Sequence, residues 1–531
     1  MFVFLSLWLG WWIWINTIGR FQNGLSFLSC FLFDLISISF TVIYLYKKRR
    51  EYNNSQSFIF KSNQAPIFNI WLIPSIISLI SALVYCSILQ PISWDSLNYH
   101  FPAILEAFQS KQWDRFTWYE VSIWPYPKFV ESLYLWWILH FGHHAYLLLG
   151  MLPIIFGGFI FFRIGILYQI NSWVLVCFWC TVPLIVKQAH TIDIDSFIAF
   201  FASLTIISII EKNKNIFTVA VTAFTISKWT SLLPGGFFIF LWSSIYKRLP
   251  VWAVTFIIIL SMGTVVPNWI RYRNPIFPFE LDVFDYSLFK GIRSITDIPN
   301  HAAILGNFEN YSDFLKIFIS YFTSTSVATW DMPLGGFGIP LVALAFIGFI
   351  YQIFLFIKTK RNVDAFEFLP LFLFSYPLWV PRYNLALVVL FAIFAARLVQ
   401  LMPQKARSVV WTIFLIQSCW LWLDRSWFMG LRNEYSSAFH ERRFSDINIL
   451  FAHRFKELLQ YGEPQIANND AEKIRIKVRK TRNQTYFICD GGPAQLGAFY
   501  GADFSNRVIW EKGRLPLKGH CSDGVWNIVY H

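Results

Sequence analysis

The chain is predicted to be an all-α polytopic membrane protein with a small C-terminal extracytoplasmic α/β domain, and three observations predict it. Of its 531 residues 56% are hydrophobic, 20% aromatic and only 14% charged, a balance that no water-soluble globule could bury without exposing large apolar patches. Apolar runs of about 17 to 25 residues, long enough to cross ~30 Å of hydrocarbon as helix, recur as far as Leu423. The runs are continuous rather than alternating, and hydrocarbon admits only helices or closed barrels, so the spanning part is helical.

The net charge of +13 lies largely in short basic clusters between the apolar runs, where lysine and arginine act as topology signals, so nucleic acid is not an expected partner. Of the seven cysteines, Cys177 and Cys180 share CxxC spacing, but inside an apolar run, which reads as core rather than redox chemistry.

In chain order, residues 1–18 lack a basic leader and a cleavage site and are followed at once by a second apolar run over 25–46. They read as a first membrane helix, not a signal peptide. Lys47, Lys48, Arg49 and Arg50 then place that end in the cytoplasm. A third helix, 67–89, crosses outward and delivers the stretch from Pro91 to Pro102 to the outer face. Residues 91–144 form a long outer loop whose Trp113, Trp118, Tyr119, Trp124 and Tyr126 suit interfacial helices. Within it, 129–141 is too short to span and is expected to lie flat on the outer surface.

Crossings follow at 145–169, 172–186, 196–210, 216–226, 232–246 and 251–266, and after a second outer loop over 268–337 at 338–357, 365–379, 385–399 and 409–423. Under this count of about thirteen helices, Lys212 with Lys214, Lys247 with Arg248, Lys358 to Arg361 and Lys405 with Arg407 all fall inside, with the N-terminus inside and the C-terminus outside. The chain thus divides into two additional helices over 1–66, a membrane core over 67–423 and a soluble outer domain over 424–531. In that last domain, 474–478 reads as an edge strand, 486–489 as a buried strand, and Gly491-Gly492-Pro493 as the opening of a short helix. Cys489 and Cys521 are candidates for a disulfide there.

The polar residues that stand out all map to the outer side. Asp95 sits with Asn98, Tyr99 and His100 at the mouth of an apolar helix, where a carboxylate beside an imidazole is costly to desolvate and needs a cavity or a site. His190, Asp193 and Asp195 form a second group, and Lys228, Arg271, Arg273, Arg382 and Tyr383 supply cations and a phenol. Bland readings stand beside these: Asp95 as a helix cap, Arg271 and Arg273 as lipid-headgroup contacts, Lys228 as a snorkelling side chain. Asp193 and Asp195, two apart at a helix start, suit a divalent cation, a sugar hydroxyl or an N-cap equally. His100, His140, His143, His144 and His190 have no zinc-like spacing, and His143-His144 reads as a surface turn. Two carboxylate sites and a ring of cations beside lipid suit group transfer from a lipid-phosphate carrier: the cations take the charge of the departing phosphate and a carboxylate orients or deprotonates an acceptor hydroxyl.

The order Trp94-Asp95, Tyr99-His100, Pro102, then Pro125 and Pro127, His190, Asp193 and Asp195, Lys228-Trp229-Thr230, Arg273-Asn274-Pro275, Pro278 and Arg382-Tyr383 resembles the GT-C glycosyltransferases. Within them it is most similar to bacterial proteins akin to protein O-mannosyltransferases and aminoarabinose transferases, over roughly residues 67–399. The resemblance implies inverting transfer of a sugar from a polyprenyl-phosphate donor to an envelope glycan, lipid or protein, in a bacterial inner membrane with the active site outside. It assigns catalysis to Asp95, with Asp193 or Asp195 as the second acidic position and His100 and Tyr99 beside them. Donor-phosphate contacts fall to Lys228, Arg271, Arg273, Arg382 and Tyr383. The chain departs from the family's Asp-Glu pair, because Ser96 follows Asp95. Metal dependence is left open, with Asp193 and Asp195 as the ligands of a possible divalent cation. The rival expectations are an O-antigen ligase- or polymerase-like transferase using a pyrophosphate-linked glycan, and a flippase or transporter of lipid-linked sugar; the one-sided charges and the lack of an internal repeat weigh against transport.

Overall fold

The computed structural model describes residues 2–21, 24–25, 28–39, 42, 69–88, 96, 100–113, 126–141, 146–189, 191–283, 286–291, 293–294, 336–359, 366–371, 381–423, 485–488, 507–510 and 528–530. Among these the predicted core is helical apart from a small sheet within 279–294. Helix α1 is Phe2–Thr17, α2 Leu28–Ser39, α3 Leu72–Ile88 and α4 Phe101–Ser110. Then come α5 Phe129–Phe141, α6 Met151–Leu167, α7 Ser172–Cys180, α8 Pro183–Gln188 and α9 Asp195–Ile210. Helices α10 Lys214–Ser227, α11 Leu232–Tyr246 and α12 Val251–Tyr272 follow, and then α13 Ile339–Thr359, α14 Val388–Leu401 and α15 Gln404–Leu423.

Four of the described helices are long and apolar enough to cross a membrane by length and composition: Leu148–Leu167, Val251–Tyr272, Ile339–Lys358 and Asn384–Leu401. Other expected crossings are shorter. The run over 172–186 is two helices, α7 and α8, because Pro183 cannot donate to the carbonyl four residues back and instead starts a new helix after extended Val182. Helix α10 starts where Asn213 caps it, its side chain accepting from the Ile216 amide. Helix α12 runs on past its expected end to Tyr272 and stops at Arg273, which takes a left-handed conformation. Most of the expected crossing at 365–379 lies outside the described residues.

Helix α9 sits at the centre. Every residue from Asp195 to Ile209 is buried, and a helix apolar on all sides is one that the rest of the fold surrounds. Helices α6 and α10 flank it, and the 3-10 turn Pro381–Leu387 leading into α14 packs on it. Helices α13 and α14 form the most intimate pair: Gly348 lies so close to the Phe394 backbone that a side chain there would collide with it. Small residues at such contacts let backbones approach, which is how helices gain packing where lipid supplies no hydrophobic drive. Helices α12 and α13 turn much of their apolar surface outward.

One expectation is corrected here. The segment 129–141 does not lie flat on an outer surface; as α5 it is packed inside, against α1, α4 and α10, with Phe129 to Leu135 and Ile138 buried. Trp8 and Trp11 of α1 reach across to it, donating to the Ser132 hydroxyl at 3.1 Å and the Ser132 carbonyl at 2.9 Å. The first helix is therefore part of the core.

Two small sheets complete the structure. After α12, β1 Phe279–Val283 pairs antiparallel with β2 Tyr286–Phe289 and parallel with β3 Arg293–Ser294. Buried Asn274 ties the turn that precedes it, donating to the carbonyls of Phe279 at 2.8 Å and Lys290 at 3.0 Å. In the C-terminal part, β4 Thr485–Ile488 lies between parallel β5 Arg507–Trp510 and antiparallel β6 Ile528–Tyr530, and covers most of the expected strand at 486–489. The edge strand at 474–478, the Gly491 helix and Cys489 with Cys521 lie outside the described residues.

Candidate functional site

Asp95, Tyr99 and His190 lie outside the described residues, but the two residues that frame Asp95 and Tyr99, Ser96 and His100, are placed and buried. Ser96 donates its hydroxyl to Asp193 Oδ1 at 2.9 Å and accepts the Ile192 amide at 2.9 Å. His100, four residues on, shares a 2.7 Å hydrogen bond between Nδ1 and Glu131 Oε1. From the same helix as Glu131, Tyr134 reaches the Thr191 carbonyl at 3.4 Å, and the Thr191 hydroxyl accepts the Asp193 amide at 3.2 Å. These contacts form one buried polar network. Ser96, Asp193, Thr191, Tyr134, Glu131 and His100 join α5, the turn before α9 and the chain that carries Asp95.

The second carboxylate is held differently. Asp195 Oδ1 accepts from Lys228 Nζ at 2.6 Å and Oδ2 from Gln188 Nε2 at 3.3 Å, while Gln188 Oε1 takes the Ser196 amide at 2.6 Å. Lys228 can reach because α10 ends at Ser227 and the backbone of Lys228 is extended, which turns its side chain toward the start of α9. The snorkelling reading of Lys228 gives way to a partly buried ion pair.

Glu131 and Lys128 were not singled out by the sequence. Lys128 Nζ stands 3.8 Å from Glu131 Oε1, and both side chains are buried. Burial raises the Glu131 carboxyl, but the His100 imidazole and the Lys128 ammonium more than reverse this and hold it below the ordinary range. For Lys128 burial dominates and pulls the ammonium down, with Glu131 opposing. The available signal was a lysine and a glutamate three apart at the head of an otherwise apolar helix, a polar pair that an interior can hold only if it is satisfied.

Unused hydrogen-bonding capacity collects beside these groups. Among the described residues, Glu131 Oε2, Ser196 Oγ and Trp229 Nε1 are buried with no hydrogen-bond partner. Buried polar atoms of that kind are uncommon and call for an explanation such as a ligand.

The expected cations do not all gather here. Arg382 and Tyr383 lie on the 3-10 turn that packs against α9, the helix that Asp195 begins. Arg271 instead lines a separate groove between α1 and α12, and Arg273 is exposed just beyond the end of α12. Asp193 and Asp195 turn to different partners, Ser96 and Lys228, and no group of three or more His, Cys, Asp or Glu among the described residues is arranged to hold a metal ion. His140 pairs with Asp34, and His143 with His144 lies outside the described residues. Cys177 and Cys180 are buried, as their apolar run implied, and are not joined in a disulfide.

No family model and no curated protein sequence matches the chain. Among solved structures the chain is similar to ArnT from Cupriavidus metallidurans bound to undecaprenyl phosphate, with a TM-score of 0.41 and 12% identity over 64% of this chain and 62% of that one. It is also similar to ArnT from Cupriavidus metallidurans in the apo state, with a TM-score of 0.37 and 13% identity over 64% and 61% of the two chains. The chain spans about three-fifths of the length of both.

Proposed function

We propose that the chain is an integral-membrane glycosyltransferase that moves a sugar from a polyprenyl-phosphate donor to an acceptor at the extracytoplasmic face. The observation that supports this reading is the network of buried polar groups that engages Ser96 and His100, with Lys228 on Asp195 and buried donors and acceptors at Glu131, Ser196 and Trp229 that have no partner among the described residues and would suit sugar hydroxyls. Asp95 is the carboxylate that orients or deprotonates the acceptor hydroxyl. That oxygen bonds to the anomeric carbon as the bond to the phosphate oxygen breaks, with inversion, and the polyprenyl phosphate departs with the bonding pair. Lys228, with Arg273, Arg382, Tyr99 and Tyr383 as further candidates, stabilises the charge gathering on that phosphate. Asp193 and Asp195 hold the machinery in register, and His100 is oriented by Glu131. The cation beside Asp195 in this reading is the Lys228 ammonium; a divalent ion there would take Asp193 and Asp195 as ligands and displace it.

The test is direct. Purified protein is assayed for binding of a polyprenyl-phosphate sugar and for its transfer to an envelope extract. Asp95→Asn is expected to bind donor yet transfer nothing, and Arg382→Ala to lose binding; a wild type that binds no lipid-linked sugar, or an Asp95→Asn variant with normal turnover, sinks the reading.

A further inference from the structure

The contacts of α12 show which of its sides faces the protein. Pro267 has no N–H, so the Gly263 carbonyl four residues earlier loses its partner within the helix, and Arg20, just past the end of α1, donates to it at 2.6 Å. The Trp12 indole donates to the Leu260 carbonyl at 3.0 Å, and Leu260 itself is buried. Ile258, Met262, Val266 and Trp269 run along the other side and are all exposed.

The sheet that follows folds back onto this outward side. Phe289 of β2 meets Trp269 edge to face, with ring centroids 6.0 Å apart. Trp269 precedes the last residue of α12 by three positions, about 4.5 Å along the axis, so the Phe289 end of β2 comes down beside the last turn of the helix. Buried Asn274 pins the turn between them through the carbonyls of Phe279 and Lys290, and Tyr272 stacks on Phe277 at 3.9 Å, so helix and strands hold one relative position.

Side chains alternate along a strand, so Tyr286 and Leu288 point away from the face that carries Phe289. They are 78% and 57% exposed, and with Trp269 and Ile270 they continue the apolar outward side of α12 past its last turn. The same strand is unsuited to hydrocarbon. It is the outer strand of its sheet, with an edge that no strand pairs among the described residues, and Ser287 and Lys290 beside it are exposed. Apolar side chains next to open backbone match the headgroup layer, where a tyrosine ring meets lipid and its hydroxyl meets water. A peptide added to the edge is the rival occupant. Against it, β2 has four residues and a bulge between Leu281 and Asp282 breaks the register of its pair, features that blunt an edge.

We propose that the β1–β2 hairpin is an interfacial anchor, lying in the headgroup layer beside the end of α12 with Tyr286 and Leu288 turned into the lipid. Its partner is the bilayer surface, and the inference stands whether or not the chain is a transferase.

The full chain in nanodiscs of phosphatidylethanolamine and phosphatidylglycerol tests it. Tyr286→p-azidophenylalanine and Leu288→p-azidophenylalanine, made separately, each carry a nitroxide, with the same label at Ile258 on the outward side of α12 and at exposed Lys214 as references. Collision with oxygen, which dissolves in lipid, and with a nickel chelate, which stays in water, reports the depth of each label. At 286 and 288 the oxygen-to-nickel ratio is expected severalfold above that at Lys214 and below that at Ile258. A ratio equal to that at Lys214 puts the hairpin in water, and one equal to that at Ile258 puts an open strand edge in hydrocarbon; either overturns the proposal. So do labels that neither reagent reaches, which would give the surface to a protein partner.

Discussion

Glu131 keeps its charge at a position where burial alone would remove it, because His100 and Lys128 face it. Its carboxyl titrates below the ordinary value of 4.5, so its contribution to stability is complete above that pH and is lost as the pH falls through the lower folded-state value. The melting temperature of the wild type is therefore expected to drop on acidification below about 4.5, while Glu131→Gln melts lower at neutral pH and shows a flatter acid limb. The neutral-pH loss should be roughly 3 kcal/mol, the usual cost of stranding a buried ammonium, here that of Lys128, by removing its partner. Parallel pH profiles for the two proteins would take this role from Glu131. Lys228 is different, since its ion pair with Asp195 is partly open to the outside. If it takes the charge of the leaving phosphate, Lys228→Met is expected to slow transfer by about 10² to 10³ with the fold retained, as measured by initial rates beside a melting curve. The acidic pair at 193 and 195 was readable in the sequence because two carboxylates in an apolar run are conspicuous. Glu131 was missed because its residue type matters only once α5 is known to be interior.

At the scale of the element, helix existence was legible and helix depth was not. The termini of α11 coincide with the expected 232–246, since an apolar run between a loop and the basic pair Lys247 and Arg248 marks its own ends. For α5, length argued for the surface, yet a helix apolar on every side is stable only when surrounded, and α1, α4 and α10 surround it. The single run at 172–186 broke into α7 and α8 because hydropathy does not register the missing N–H of Pro183. Close packing carries its own prediction. Gly348→Ala puts a methyl group against the Phe394 backbone, which cannot rotate away as a side chain would, so the α13–α14 pair must separate. A destabilisation of about 1–3 kcal/mol is expected in detergent unfolding, and a neutral result would mean that the two helices are free to shift.

For the whole molecule, composition announced a membrane protein and basic clusters set an expected sidedness, but pairing among helices depended on contacts between residues far apart in the chain. The joining of α1 to α5 through Trp8, Trp11 and Ser132 has no sequence signature at all. Sidedness is open to experiment: an alkaline-phosphatase fusion after Lys247 is expected to be inactive and one after Arg273 active, and the reverse result would invert the topology.

Arg20 and Gly263 are 243 positions apart, which bears on how the protein is made. Synthesis delivers α1 first and α12 only after α2 to α11 have emerged. An open carbonyl in a lipid-facing helix is expensive, so α12 reaches its finished form only where a partner is already waiting. The N-terminal helix thus serves as a template laid down in advance, and a chain beginning after Arg20 would release α12 into the bilayer with its kink uncovered, a form that quality-control proteolysis should remove first.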